Sequence, residues 1–290
     1  MFEDSKLPEE EHSASSNTIR VPVFGRLHCV RDTEGRLYLC GVLVYWFYGT
    51  FSVIYISLWP AYHDGHIYLV VIYGYYAVSG LTLVSLIRSS LTNPGRVPKY
   101  DPDKHAKQGW CKCKKCSRMK PPRSHHCRRC GQCVARMDHH CPWINNCVGE
   151  ANHWVFMQLL VYSFLMGFYS SIVVMCHFWV WPDCVSCDRE VFYIKHGVWA
   201  MYLELGCAAA IMWAMYHNLL QQHYVVVLDM TTLESIIYEG EEDDVKPSKM
   251  TFEKTYAAYR QLCGRGWPIF WWSPFGRKRP YLPSGGDHVV

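Results

Sequence analysis

The chain has 290 residues, half of them hydrophobic, yet its mean hydropathy is only −0.07, so the apolar residues are gathered in blocks rather than spread through one soluble core. Fifteen cysteines could suggest a secreted disulfide scaffold, but the first 36 residues are polar and acidic with no apolar signal core, which argues against one. The net charge of +4 is modest and uneven; beside apolar spans, a basic cysteine-rich segment reads as facing anionic lipid or an anionic cofactor, and no nucleic-acid partner is expected.

In chain order, residues 1–36 read as an N-terminal tail, because Glu9, Glu10, Glu11 and the following serine-rich run carry too little apolar surface to fold. Four apolar blocks follow: Leu37–Trp59, Ile67–Ile87, Val155–Trp181, and a fourth from Gly197 to about Leu220, with Leu228 as its outer bound. Each reaches the roughly 20 residues that cross a hydrocarbon core of about 30 Å. Glu204 lies inside the fourth block, and two readings stand: a paired or functional intramembrane carboxylate, or a residue at the far headgroup boundary. His217, Asn218, Gln221, Gln222 and His223 mark the emergence of that helix into water. The 89–154 segment carries thirteen Lys and Arg, against two in 182–196 and none in 60–66. The positive-inside rule therefore places this insert and both termini in the cytosol.

The expected fold is an all-α membrane protein. It has a cytosolic tail at 1–36, two transmembrane helices in 37–88, a cysteine-rich two-zinc domain in 89–154, two further helices in 155–228 and a cytosolic tail at 229–290. In that last tail Phe252, Tyr256, Tyr259 and Cys263 recur at helical spacing, and Gly264 stops the helix. The aromatic run from Trp267, with Arg277, Lys278 and Arg279 after it, reads as an interfacial anchor or as a surface packed on the zinc domain. Cys184 and Cys187 lie on the far side, where a local disulfide and two free thiols are both open. No long internal repeat is evident beyond recurring C-x2-C units.

The chemistry is concentrated between Cys113 and Cys147, which offer seven cysteines and four histidines. Thiolates and imidazoles in short C-x2-C spacing suit tetrahedral zinc, and two ions take eight ligands, leaving three over. Asp138, His139 and Cys141 lie within four residues. An imidazole beside a thiol can take its proton, and a carboxylate behind the imidazole orients it. The other reading makes all of them ligands or supports of ligands.

The Asp138-His139-His140-Cys141 signature, Asn93-Pro94-Gly95 after the second span and Thr231-Thr232-Leu233-Glu234 after the fourth resemble the DHHC family of protein S-acyltransferases, in its shorter form without extra domains. The resemblance covers about residues 37–275. It implies that one zinc takes Cys113, Cys116, His126 and Cys133, and the other Cys127, Cys130, His140 and Cys147. It further implies that Cys141 is the nucleophile, His139 its base, Asp138 the orienter of that base, Trp143 an acyl-chain contact and Thr232 a hydrogen-bond partner of Asp138. His125 would be a non-ligand, and Cys111 has no assigned role. The implied activity is two-step transfer of a palmitoyl group from acyl-CoA, through a Cys141 acyl-enzyme, to cysteines of membrane-associated client proteins with accessible juxtamembrane cysteines. The competing reading is a non-catalytic adaptor with a zinc-binding interaction module. Arg96, Lys112 and Arg123 are candidates for the CoA phosphates, and Met166 and Tyr169 for the acyl-chain lining. The family resemblance implies a Golgi address, with the plasma membrane and endoplasmic reticulum as alternatives. One departure is Cys263-Gly264-Arg265-Gly266-Trp267, where the family carries an asparagine; it leaves open how the tail helix is anchored.

Overall fold

The computed structural model describes residues 16–21, 25–97, 109–238, 251–264 and 267–273. Residues 16–30, expected to be an unfolded tail, instead form an antiparallel hairpin of β1 (Ser16–Val21) and β2 (Gly25–Val30), with Ser16 opposite Val30. The apolar surface that the tail lacks is supplied by the rest of the chain. Val30 packs with Cys127, Cys130, Val134, Met137 and Cys147, and the buried His28 lies 3.3 Å from Gln132 through its Nε2. The acidic run before residue 16 lies outside the described residues.

Four helices cross the membrane: α1 (Thr33–His63), α2 (Leu69–Leu91), α3 (His153–Trp179) and α5 (Gly197–Val227), with a short α4 (Phe192–Lys195) between the last two. Each begins or ends a few residues beyond the apolar block that announced it, because helical hydrogen bonding continues through the polar residues at the membrane boundary. α1 loosens into π-helical turns over Val53–Leu58, just before Pro60, which has no N–H to offer the ladder. Only 17–44% of each span's most apolar window is buried inside the protein, and Phe47, Val70, Trp199 and Trp213 point outward, a surface that lipid must cover.

Inside the bundle, close approach and buried hydroxyls hold the helices together. A Cβ on Gly167 of α3 would lie 3.0 Å from the Ala208 carbonyl of α5, so the glycine lets the two backbones meet. The buried Tyr75 of α2 hydrogen-bonds Ser170 of α3 at 2.9 Å, and Thr82 donates to the Tyr162 carbonyl at 3.1 Å. Glu204 is buried against α1 as a paired carboxylate: it accepts from Tyr45 Oη at 3.3 Å, and its carboxylate stands where a side chain on Gly49 would be. On the face away from the zinc domain, Cys184 and Cys187 are joined in a disulfide, and Asp64 accepts from the Val185 and Ser186 amides at 2.8 and 3.0 Å. One loop thereby clasps the other.

Between α2 and α3 the chain forms three small hairpins: β3 (Cys111–Lys112) with β4 (Met119–Lys120), β5 (His125–Cys127) with β6 (Gln132–Val134), and β7 (His139–Cys141) with β8 (Asn146–Val148). They are seated on the bundle by the loop after α2. Asn93 Oδ1 accepts from the Gly95 and Arg96 amides, and Gly95, at φ +102°, turns its carbonyl to Ala135 N at 2.8 Å. After α5 come α6 (Thr232–Tyr238), α7 (Phe252–Cys263) and α8 (Pro268–Trp271). Gly264 ends α7, at φ +108°. The tail is anchored through its backbone: Gln158 of α3 donates to the Trp271 and Ser273 carbonyls at 2.7 and 3.0 Å, and Trp271 Nε1 donates to the Gly264 carbonyl. Trp271 is thus buried, while Trp267, Ile269 and Phe270 face outward.

Gly149, between β8 and α3, has no room for a side chain. A Cβ there would lie 2.6 Å from the Pro94 carbonyl oxygen and 2.6 Å from Val134 Cγ1. Gly149→Ala is expected to destabilise the seat of the zinc domain by about 1–3 kcal/mol, read as a lower unfolding temperature of the detergent-solubilised protein.

Candidate active site and metal centres

The three hairpins are copies of one unit with a 14-residue period. Cys113, Cys127 and Cys141 occupy one position; Cys116, Cys130 and Ile144 occupy another. The residue after each of the latter, Ser117, Gly131 or Asn145, takes the left-handed conformation, with φ of 56°, 63° and 49°. In the first two units a C-x2-C turn presents its two sulfurs past its own strands towards the next hairpin. There a cross-strand pair waits: His126 opposite Cys133, then His140 opposite Cys147. This geometry interleaves the ligands. Cys113, Cys116, His126 and Cys133 converge in one cluster and Cys127, Cys130, His140 and Cys147 in the other, all ligand atoms of each lying within 4.8 Å of one another.

The donor atoms suit zinc. A tetrahedron with Zn–S of 2.3 Å has edges of about 3.8 Å. The Cys116–Cys133 and Cys130–Cys147 sulfurs are 3.6 and 3.3 Å apart, and His140 Nδ1 stands 3.4–3.7 Å from Cys130, Cys127 and Cys147. His126 Nδ1 is 3.7 Å from Cys133. These two clusters are positioned to chelate two zinc ions, and four protein ligands in each would leave no open position for substrate.

The third unit departs from the first two. Where a second cysteine would complete a third C-x2-C, it carries Ile144, which is buried in an apolar cluster. Cys141 therefore has no second sulfur to share a metal with and stands as a thiol. Strand alternation decides its company. Along β7, His140 points to the metal cluster, so His139 and Cys141 point the opposite way, onto the bundle. Cys141 packs with Leu86, Ile144, Val148, Phe156, Met157 and Leu160, with Leu39, Val42 and Leu43 of α1 beside them. The thiol thus sits at the head of an apolar bundle. His139 stacks edge-on against Phe156, with ring centroids 5.2 Å apart.

Asp138 is buried and accepts from every side. His139 Nδ1 lies 2.7 Å from its Oδ2, Gln222 Nε2 2.9 Å and Thr232 Oγ1 3.0 Å, while the Thr232 amide donates to Oδ1 at 2.6 Å. Burial alone would raise the carboxyl pKa. The His139 hydrogen bond, the nearby imidazoles and the Thr232 amide outweigh it and hold Asp138 well below the usual carboxylate range. For His139, burial works to depress the imidazole, but the Asp138 hydrogen bond and then the Cys141 sulfur raise it, so the ring is disposed to hold a proton given up by the thiol. With Nδ1 committed to Asp138, Nε2 is the atom free for that proton.

Thr232 is placed by its own turn. The Thr231 amide donates to Glu234 Oε2 at 2.9 Å and the Glu234 amide to Thr231 Oγ1 at 3.1 Å, a reciprocal capping box at the start of α6. Arg123 then grips Glu234 through Nε and Nη2, both at 2.7 Å, and reaches Asp229, which also pairs with Arg136. Arg123, a candidate for CoA phosphate, is thus spent on a clasp between the zinc domain and the tail. Lys112 is exposed on β3, and Arg96 bridges to Val134 through its backbone. Trp143 is more than half exposed and meets Tyr38 of α1 edge-on at 4.9 Å. Met166 is buried in α3, and Tyr169 donates to the Val71 carbonyl at 2.8 Å, a bond that binds α3 to α2. Asn146 Nδ2 donates to the Ser89, Ser90 and Thr92 carbonyls, pinning the third hairpin to the end of α2, and Asn145 Nδ2 donates to the Val30 carbonyl. His125 lies half-buried on β5, and Cys111 is exposed.

Three participants gave no signal in the sequence. Gln222, read as a residue emerging into water, is buried against Asp138. His153, at the start of α3, contacts Gln222 at 2.6 Å. Asp32, at the foot of α1, places Oδ2 3.4 Å from His140 Nε2, behind a metal ligand, and is itself held by Arg129 at 3.2 Å.

The family model described as DHHC palmitoyltransferase matches residues 106–239. Palmitoyltransferase ZDHHC21 of Bos taurus is 36% identical over 256 residues, covering 88% of this chain and 95% of the relative. Its Homo sapiens counterpart is 34% identical over the same shares. Palmitoyltransferase ZDHHC3 of Rattus norvegicus is 30% identical over 83% of this chain and 85% of the relative.

A carboxylate behind a ligating imidazole fixes the ring and raises its basicity, and its loss typically lowers metal affinity about 10–100-fold. Asp32→Asn is therefore expected to release one of the two zinc ions to a colorimetric chelator faster than the parent protein, while the other ion stays at its parental rate. Equal release of both, or of neither, would show that Asp32 does not support His140.

Proposed function

This chain belongs to the DHHC palmitoyltransferase family, and we propose that Cys141 is the nucleophile of its acyl transfer, with His139 as base and Asp138 as the group that orients the base. The chain is a multi-pass membrane enzyme, a protein-cysteine acyltransferase that uses palmitoyl-CoA. The observation that carries the residue assignment is the third hairpin, in which Cys141 lacks a partner sulfur and shares a strand face with a histidine bonded to a buried carboxylate.

In the first step the Cys141 thiol gives its proton to His139 Nε2, and the sulfur attacks the thioester carbonyl of acyl-CoA. The new S–C bond forms as the bond to the CoA sulfur breaks, and the departing thiolate takes the proton back from the imidazolium. In the second step a client thiol gives its proton to His139 and attacks the acyl-enzyme; Cys141 leaves as thiolate and is reprotonated. One thioester replaces another in each step, so no further co-reactant is needed. The zinc ions supply structure, holding the hairpin that carries His139 and Cys141. The apolar cluster under Cys141 suits an acyl chain directed into the bundle, with Trp143 beside the thioester and Met166 deeper along α3.

The thirteen cationic residues of 89–154 support a cytosolic zinc domain and cytosolic termini. Clients are then membrane-associated proteins whose juxtamembrane cysteines reach the same surface. The Golgi is the compartment we assign, on family resemblance, with the plasma membrane and endoplasmic reticulum as the alternatives.

Purified protein incubated with palmitoyl-CoA is expected to gain one palmitoyl mass that hydroxylamine removes, and Cys141→Ser none. His139→Ala is expected to slow the gain about 100-fold or more, as loss of a positioned base does. A gain that persists undiminished in a folded, zinc-loaded Cys141→Ser protein would overturn the assignment. No gain on the wild type would favour a non-catalytic adaptor.

A further inference from the structure

The donors and acceptors around Asp138 can be assigned without ambiguity, and they lead outward to two membrane helices. An ionised carboxylate only accepts, so the end of the Gln222 amide that faces Asp138 Oδ2 at 2.9 Å must be its NH2 group. The same nitrogen donates to Thr232 Oγ1 at 3.0 Å, and that hydroxyl passes its own hydrogen to Asp138 Oδ2. The carbonyl end, Oε1, is then turned to His153 Nε2 at 2.6 Å, which must carry the hydrogen. The resulting order runs from His153 of α3, through Gln222 of α5, to Asp138 and His139.

We propose that Gln222 is a positioning residue for acyl transfer, with its amide held by His153 so that it donates to Asp138 and fixes the carboxylate that orients His139. This rests on the reading of Cys141 and His139 given above. Gln222 is buried and sits where α3 and α5 meet beneath the third hairpin, so the amide registers the ends of two spans against the catalytic loop. Thr232 ties Asp138 to the tail, whereas Gln222 ties it to the bundle that would receive the acyl chain. Without the amide, Asp138 loses a donor and is free to rotate away from His139. With glutamate at 222, two carboxylates would face each other. Neither change touches acyl-CoA, so the maximal rate should fall while the half-saturating concentration stays.

The test compares full-length Gln222→Ala, Gln222→Glu, His153→Ala and the double His153→Ala/Gln222→Ala with the parent protein. The measurements are zinc content, unfolding temperature and the rate of hydroxylamine-labile acyl-enzyme formation across palmitoyl-CoA concentrations. Expected are two zinc ions per chain in each variant and a maximal rate about tenfold lower or more in Gln222→Ala, the effect of losing a hydrogen bond to a charged group. Gln222→Glu should fall further, and the half-saturating concentration should stay within about twofold. The double variant should be no slower than Gln222→Ala alone, because His153 acts through the amide. Maximal rates within about twofold of the parent in both Gln222 variants would overturn the proposal. So would a rate loss that tracks lost zinc or a raised half-saturating concentration. Should Gln222→Glu fail to fold, Gln222→Ala and the double variant decide by the same criteria. A parent protein that takes up no label on Cys141 would instead overturn the function reading beneath this one.

Discussion

Metal ligation is the constraint on which the rest depends, because it decides which way three consecutive side chains of β7 point. The His140–Cys147 pair is drawn to the second metal centre from opposite strands of one hairpin. A strand cannot turn one residue inward without turning its neighbours outward. Committing His140 to the metal therefore commits His139 and Cys141 to the opposite face, above the bundle. The zinc ions need not approach the substrate to matter. The hairpins around them are two or three residues per strand, far too short to be stable alone, so ligation supplies the stability and with it the alternation that places the thiol.

The repeat also accounts for why one cysteine of seven is left over. Two units carry a complete C-x2-C and hand both sulfurs to the following hairpin. The third has no hairpin after it and carries Ile144 in place of the second sulfur. The same backbone turn, with Asn145 in the left-handed conformation that Gly131 adopts one unit earlier, now projects a lone thiol over apolar helices. A structural knuckle becomes the holder of a single unligated thiol by losing one ligand and being docked on a membrane bundle. Asn146, bonded to the last carbonyls of α2, provides that docking.

Asp138 is the point at which zinc domain, tail and bundle are tied together. A buried carboxylate is costly unless nearly all its lone pairs are satisfied. Here the satisfying donors come from β7, from the turn before α6 and from the end of α5. The charge that orients His139 thus requires all three regions to be in place, and the Arg123–Glu234 pair fastens the tail from the other side. A second buried carboxylate, Glu204, is matched by Tyr45 deep in the bundle and takes no part in this network.

Much of this was legible in the sequence. Apolar block length announced four spans, and short Cys and His spacing announced two zinc ions, because both are local properties of the chain. The α7 helix and its stop at Gly264 were likewise written in side-chain periodicity and one glycine. Tertiary structure decided the rest. The hairpin over residues 16–30 is held to the zinc domain through Val30 and His28, a long-range contact that composition of the segment alone does not reveal. Gln222 looks like any polar residue at the end of a span until Asp138, 84 residues earlier, is brought against it. Arg123 looks like a free cation until Glu234 arrives from the tail. Spacing along the chain determines what a local turn or helix can do; which buried polar groups must satisfy one another is determined only when distant segments meet away from water.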